Sequence, residues 1–322
     1  MTTFAPMALT RVRNDLCQKW REYLLRSFAV EVTTPTLHTC PDIAPVRQFT
    51  TAHPSTGEVA YLRIAPTEYL KRLVAAGQDR VFEFSTNFRD DPVDDTHLPE
   101  FASLEVMARD TTCADMERNA ADLCELAVEI VRRYCPPTEL PVWVQQWEQR
   151  RVRRIELSDE LSEHFAGTPD WLEWPTAIGA LLADCGEPVE PNSRLPVLMD
   201  QLVTVLAQRT SGAVLIGGFP EFLGGPAAAH PTRLGFKQRS ELFIDGLEVA
   251  NMSTNLSNGR ALRQWHQAGV QAKAVLGINT NHLDEELLGH LDGNLPPSAV
   301  LGFGVERMLQ AALGLPDIRA LR

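Results

Sequence analysis

The spacing of apolar residues along the chain predicts helices and short strands in mixed order. Leu9, Val12, Leu16, Trp20 and Leu24 recur at helical spacing with Arg11, Arg13, Lys19 and Arg21 between them, so Leu9 to Ser27 reads as an amphipathic helix. Phe28 to Val32 reads as a short strand stopped at Pro35, and residues 38–58, with Pro41, Pro45, Pro54 and Gly57, read as loop. Tyr61 to Ile64 reads as a strand. Pro66 opens a helix that runs through Leu70 and Leu73 to Gly77, because proline is tolerated at the first helical position. The alternation Val81-Phe82-Glu83-Phe84 predicts a strand over Arg80 to Phe88, and Phe101 to Arg109 reads as its partner across the loop Asp90 to Pro99.

Cys113 to Tyr134 follows as a helix with Leu123, Leu126, Ile130 and Val131 on its apolar side. Ala213 to Phe219 is an apolar strand, and two apolar runs around Asp245-Gly246 predict a hairpin over Ser240 to Ala250. Arg260 to Leu276 and Leu283 to Leu291 read as helices, and Val300 to Leu313 as a glycine-rich approach to a last helix. Residues 135–212 are mixed and mostly helical. No repeat, low-complexity tract or linker divides the chain, so residues 1–322 read as one domain with a mostly helical insertion over 135–212.

Composition changes this picture in a few places. Apolar residues make up 44% and charged residues 22%, as in a globular protein. The formal net charge of −12 repels polyanions and lowers the odds of a nucleic-acid partner. The six cysteines form no C-x-x-C pair and no His cluster joins them, so a zinc site is not expected and a reducing, cytoplasmic setting is. Met1 to Leu16 lacks the apolar core of a signal peptide, and no run of about 18 apolar residues marks a membrane span.

Three segments carry candidate chemistry. In the first, Arg89 ends a strand, a polar loop with Asp91 and His97 follows, and Phe101 and Glu105 return on the next strand. Such an Arg suits a phosphate and such a Phe suits a stacked base, although an ordinary hairpin fits equally. In the second, Glu241 and Glu248 sit on the two arms of the hairpin, with Asn251 just beyond. Two carboxylates brought close are unfavourable unless a cation lies between them, and a few hard oxygen ligands suit Mg²⁺ shared with phosphates; two solvated glutamates are the ordinary alternative. In the third, Gly302 and Gly304 precede Arg307 on a helix. The glycines let backbone approach a ligand, yet a glycine pair before a helix is commonly only a turn.

In this order and at these separations the three segments resemble the three motifs of the class II aminoacyl-tRNA synthetases, the lysyl type in particular. FAVEVTTPTL (Phe28 to Leu37) resembles the dimer-forming first motif. YLRIAPTEYLKRLVAAGQDRVFEFSTNFRDD with HLPEFASLE resembles the second motif and its approach. ELFIDGLEVAN resembles the metal-carboxylate hairpin and GFGVERM the third motif. The resemblance covers nearly the whole chain and fits best to the ligases that attach β-lysine to elongation factor P, synthetase cores without an anticodon-binding domain, for which this sequence leaves no room before its first motif. It implies an α+β fold, an antiparallel sheet flanked by helices, in a homodimer. It implies that Arg89 holds the α-phosphate and substrate carboxylate, that Phe101 and Arg307 sandwich adenine, that Asp91 lies near the adenine amine and His97 near the terminal phosphates, that Glu241 and Glu248 bind Mg²⁺, and that Asn251 fixes the main-chain end of the amino acid. ATP and Mg²⁺ are the implied cofactors.

The sequence departs from that family around the substrate side chain. Thr67, Met107 and Asn255 stand where lysine-handling members place Glu, Tyr and Glu, and Met252-Ser253 stands for Gly-Phe. An ammonium closed in without a carboxylate partner is disfavoured, so a neutral amino acid is the expected substrate, bound by Thr67, Glu105, Met107, Asn251, Met252 and Asn255, with Glu68, one position off register, as the remaining acidic candidate. The loop after Arg89 carries Asp90, Asp91, Asp94 and Asp95, which would repel an acceptor stem, so the expected acceptor is a protein, carrier or small molecule rather than tRNA. The competing readings are a β-lysine ligase proper, a tRNA-charging enzyme, an ammonia-dependent amide synthetase, and a non-catalytic amino-acid-binding relative.

Overall fold

The computed structural model describes residues 6–42, 44, 46–147, 152–162, 174–189, 193–223, 225–275, 284–293 and 295–322. Helix α1 (Pro6–Arg26) is followed by the short strands β1 (Val30–Glu31), β2 (Leu37–His38), β3 (Thr50–Ala52) and β4 (Val59–Leu62), then helix α2 (Thr67–Ala75). The long strands β5 (Arg80–Phe88) and β6 (Glu100–Arg109) precede helix α3 (Cys113–Tyr134), whose start is closed by Asp115 accepting from the Thr112 N–H at 2.7 Å. Next come α4 (Val142–Gln145), β7 (Arg153–Glu156), α5 (Leu157–Ser162), α6 (Trp174–Asp184) and α7 (Leu195–Gln208). The last part holds β8 (Ala213–Gly217), β9 (Arg239–Ile244), β10 (Leu247–Thr254), α8 (Gly259–Val275), α9 (Glu285–Leu291), β11 (Ser298–Gly304) and α10 (Val305–Leu313).

Eight strands form the main sheet in the order β1-β5-β6-β11-β10-β9-β8-β7, and β2-β4-β3 form a small second sheet. The expected α+β class with an antiparallel sheet holds for the six central strands; β1 and β7 add a parallel strand at each end. The two faces of the sheet differ because side chains alternate along each strand. On one face Phe82, Leu104, Val106, Leu242, Met252, Leu301 and Phe303 form a continuous core with Leu16 and Trp20 of α1, Met116 and Leu123 of α3 and Met308 of α10. Trp20 keeps its indole N–H satisfied there by donating to the Leu123 carbonyl at 2.9 Å. On the other face two smaller apolar clusters lie toward the sides. One joins Leu70 and Val74 of α2 to Met107 and to Leu288 of α9, and the other joins Leu202 of α7 to Val214 and Phe243. Between them the sheet presents Glu83, Ser85, Asn87, Ser103, Glu105 and Asn251, and this polar middle is where the site forms.

Several elements differ from expectation. The glycine-rich stretch before the last helix is strand β11, with Ala299, Leu301 and Phe303 buried in the core and the glycines on the polar face. The loop expected over 38–58 contains β3, and residues 135–212 contribute strand β7 to the main sheet. Helix α2 begins at Thr67, with Pro66 as its N-cap rather than its first residue. Leu276 and Leu283, placed at helix ends above, lie outside the described residues, as do Pro45 and, within the insertion, 148–151, 163–173 and 190–192. Among the described residues no helix is long and apolar enough to cross a membrane.

Candidate active site

A cavity of about 230 Å³ opens over the polar middle of the sheet. Its walls include Arg89, Asp91, His97, Phe101, Glu105, Glu248, Asn251 and Arg307. Strand register explains how residues so far apart in sequence meet. Glu83 pairs with Glu105, Glu105 with Gly302, Gly302 with Asn251, and Asn251 with Glu241, so one transverse row crosses five strands. Glycine at 302 leaves the space between Glu105 and Asn251 open; a side chain there would stand between them and contact the Asn251 amide.

A β-bulge adds Glu248 to this face. Residues three apart in a regular strand point to opposite sides, which would separate Glu248 from Asn251. The register of the hairpin shifts between Glu248 and Ala250, so Val249 is an extra residue and Glu248 pairs with Phe243, on the same side as Glu241. Glu241 and Glu248 together line a cleft beside the main cavity, with Asp200. Burial, and after it the charge of Glu248, push the Glu241 carboxyl up to about 7, against the opposing effect of its ion-pair partner Arg239. A cation between the two would relieve both effects. Two carboxylates would suit Mg²⁺, which takes few protein ligands when phosphate oxygens complete its shell.

The two arginines are held differently. Arg307 is fixed on several sides. It donates to the Thr96 carbonyl at 3.2 Å, to the Glu248 carbonyl and carboxylate at 3.2 Å each, and to His97 Nε2 at 3.0 Å. Accepting at Nε2 leaves the His97 ring proton on Nδ1, which faces Asp94 at 2.9 Å. The Thr96 N–H, followed by His97 and the Thr96 hydroxyl, holds the Asp94 carboxyl down at about 2. Arg89, by contrast, has its backbone N–H on the Pro99 carbonyl at 2.9 Å and its guanidinium 5.1 Å above the Phe101 ring. Its Nε is buried without a hydrogen-bond partner. A half-buried guanidinium with unused donors suits a planar carboxylate or a phosphate.

Glu105 is the acidic group at the other end of the cavity. Burial pushes it up to about 7, while the Thr67 hydroxyl, donating at 2.6 Å, and the charge of Arg89 pull it down. Thr67 therefore reaches the site through Glu105. The other residues assigned to the amino acid lie elsewhere. Met252 is on the apolar face, packed in the main core, because it follows Asn251 by one position and so points the opposite way. Met107 is fully buried under α2. Asn255 is buried and donates its amide N–H to Ser298 Oγ at 3.0 Å. Glu68 faces a different cavity and pairs with Lys71 at 2.7 Å.

The sequence reading missed Glu306, which accepts from the Ala102 N–H and from Arg13 at 2.8 Å each and so ties α10 to β6 and α1 beneath the cavity. Its place in GFGVERM, between the glycines and Arg307, was the available signal. It also missed Arg63 and Glu83, a buried pair behind the polar row, and His266 on α8, for which the sequence offered none.

The family model for tRNA synthetases class II (D, K and N) matches residues 5–322. Lysine–tRNA ligase 2 of Methanosarcina mazei is 30% identical over 315 residues, covering 96% of this chain and 60% of that protein. The lysine–tRNA ligase of Bordetella bronchiseptica is 29% identical over 311 residues, 93% of this chain and 60% of its own length. A probable cytoplasmic lysine–tRNA ligase of Vairimorpha ceranae is 29% identical over 315 residues, with 92% and 60% covered. The chain thus spans about 60% of the length of the curated relatives it matches.

Proposed function

The chain belongs to the tRNA synthetases class II (D, K and N), and on that premise we propose that it activates an amino acid with ATP, forming an aminoacyl-adenylate in the cavity over the central strands. The observation that carries this reading is Arg89, half-buried with a donor unused, between Phe101 and Glu105. Arg89 holds the substrate carboxylate against the α-phosphate. Glu105 accepts from the α-ammonium, and Asn251 faces the same main-chain end. Phe101 and Arg307 bracket the adenine, Asp91 faces its amine, and His97, fixed between Asp94 and Arg307, borders the phosphate tail.

The substrate carboxylate oxygen attacks the α-phosphorus, a P–O bond forms, and the bond to the leaving pyrophosphate breaks. The chain contributes position and charge: Arg89 neutralises the reacting oxygens, and the sheet register fixes Glu105 and Asn251 across Gly302. Glu241 and Glu248 would hold Mg²⁺, which when bound neutralises phosphate charge.

The acceptor is a protein, carrier or small molecule. Asp90, Asp94 and Asp95 are exposed around the mouth of the cavity, and phosphates would meet them there. All six cysteines are free, in keeping with a cytoplasmic enzyme. The test is ATP–pyrophosphate exchange across a panel of amino acids, run beside a charging assay with total tRNA. Exchange without charging is the expected result; efficient charging would replace this acceptor class by tRNA.

The chain is a homodimer built through the end of α1 and the segment after it. Leu25 on the last turn of α1, Phe28, Val30 on the two-residue edge strand β1, and Leu37 on β2 are exposed, Phe28 by 93%. Such a cluster marks an interface rather than a solvated surface. Light scattering at micromolar concentration is expected to give twice the chain mass, and Phe28→Asp to shift it toward the monomer. A monomeric wild type would contradict the assignment.

Glu105 gives the site a pH dependence. Only its carboxylate pairs with an ammonium, so the KM for the amino acid is expected to fall as pH rises through about 7. Removing the Thr67 hydroxyl in Thr67→Val takes away a hydrogen bond to the charged form and moves that midpoint upward. A KM profile flat from pH 6 to 8 (about one unit either side) would remove Glu105 from this role. The same raised pKa means that between pH 4.5 and about 7 the folded chain holds a proton that the unfolded chain releases, so this group's contribution to stability declines as pH rises from 4.5 to about 7.

A further inference from the structure

A second cavity, of about 220 Å³, lies between α2, the segment after β2, α8 and the start of α9. The first turn of α2 links it to the site already described. Thr67 bonds to Glu105 in the first cavity, and Glu68, the next residue, faces the second. Asp42, on the wall of the second cavity, is close enough to Glu105 to help push its carboxyl up. The two cavities share no lining residue, and the Thr67–Glu105 hydrogen bond links their walls; a substrate anchored by its main-chain end at Arg89, Glu105 and Asn251 reaches this side only past that bond.

The inner wall carries unsatisfied polar atoms. Glu68 Oε2 is buried with no hydrogen-bond partner, and so are both ring nitrogens of His266, a residue only 1% exposed. Buried polar atoms normally find partners, and four without one around a single cavity, Arg72 Nε at its mouth included, point to a ligand that supplies them. The charge balance narrows the ligand. Lys71 is 2% exposed and its ammonium lies 2.7 Å from Glu68 Oε1, so the pair is neutral overall. Burial holds His266 below the usual imidazole range. Arg72 is paired with Asp284 and Glu286 at the mouth, and Glu285 with Arg263. At Glu68, therefore, an arriving ammonium would meet a carboxylate already neutralised by an internal one, although the wall also carries Asp42. A group that donates N–H to Glu68 Oε2, exchanges a further hydrogen bond with His266 and offers a carbonyl oxygen to Arg72 Nε satisfies the wall without adding charge.

We propose that this second cavity is the side-chain subsite of the amino-acid substrate, and that Glu68 and His266 bind there a neutral side chain ending in an amide or urea. The inference rests on the reading of the first cavity as an amino-acid-activating site.

The experiment is ATP–pyrophosphate exchange with the proteinogenic amino acids and L-citrulline, on the wild type, His266→Phe and the double variant Glu68→Gln/Lys71→Met. The double variant removes the ion pair together, so that Lys71 is not left buried alone, and thermal melts establish that each variant folds. Glutamine, asparagine or citrulline is expected to support the fastest exchange. Both variants are expected to raise the amino-acid KM about tenfold or more with the ATP KM unmoved, as when buried partners of a recognised polar group are lost. A best substrate that is apolar or charged, lysine included, overturns the inference, as does an amino-acid KM unmoved in a folded variant. Exchange with no amino acid at all in the wild type overturns the reading of the first cavity, and this one with it.

Discussion

Replacing Arg89 by alanine is expected to slow adenylate formation by about 10²–10³, the usual loss when one preorganised transition-state donor is removed. The expectation follows from how little else Arg89 does. No ion pair or side-chain hydrogen bond engages its guanidinium among the described residues, and Nε is buried without a partner. The strand end is held instead by the backbone, through the Arg89 N–H on the Pro99 carbonyl at 2.9 Å. The variant is therefore expected to keep its fold and to lose the cation that the proposed reaction requires. Lysine at this position restores charge but not the planar fork that grips a carboxylate and phosphate together, so Arg89→Lys is expected to recover only part of the rate. Single-turnover release of pyrophosphate, with a thermal melt on the same sample, separates the two effects. A near-normal rate in a folded Arg89→Ala would remove the ATP site from this cavity.

Arg63→Met is expected to destabilise the chain by about 3–5 kcal/mol, the cost of stranding one partner of a buried ion pair. The side chains of Arg63 and Glu83 are only 5% and 2% exposed and meet at 2.8 Å. Arg63 also donates to the Thr86 carbonyl at 2.9 Å and to Thr34 Oγ1 at 3.0 Å, while Glu83 accepts from the Thr34 hydroxyl at 2.8 Å. The network fastens the segment after β1 and the segment after β4 to β5. Loss of Arg63 leaves Glu83 charged and buried beside Glu105, which it already pushes up. Urea denaturation measures the effect, and Arg63→Met/Glu83→Leu is expected to recover much of it because no lone charge remains. A single-variant loss below about 1 kcal/mol would mean that water reaches the pair.

Much of the fold was legible because its signals are local. Val81-Phe82-Glu83-Phe84 alternates cleanly, and Asp245-Gly246 sits between two apolar runs, so β5 and the β9–β10 hairpin followed from spacing and turn chemistry. Strand β11 was less legible because Gly302 and Gly304 interrupt its alternation, and they do so on the face where the cavity needs backbone rather than side chains. The bulge at Val249 was invisible, since register is a property of two strands and alternation describes one. The bulge, unseen, is what lets Glu248 share a face with Glu241. Met252 shows the converse: placed by motif it belonged to the substrate, and placed by the strand period it belongs to the core. Arg89, Phe101, Glu105, Asn251 and Arg307 were readable together because their order and separations are distinctive, and they do line one cavity. His266 had no such signal, because its proximity to Glu68 is a packing of α8 near α2 that neither helix encodes alone.

The central claim is that this chain joins an amino-acid carboxylate to the α-phosphate of ATP. It is tested most directly by incubating the purified protein with α-labelled ATP, Mg²⁺ and an amino-acid mixture, without tRNA or any acceptor, and resolving the nucleotides bound to it. An enzyme-bound aminoacyl-adenylate that forms in the wild type, requires the amino acid and is absent from Arg89→Ala is the expected result. Bound, unreacted ATP in the presence of every amino acid would contradict it.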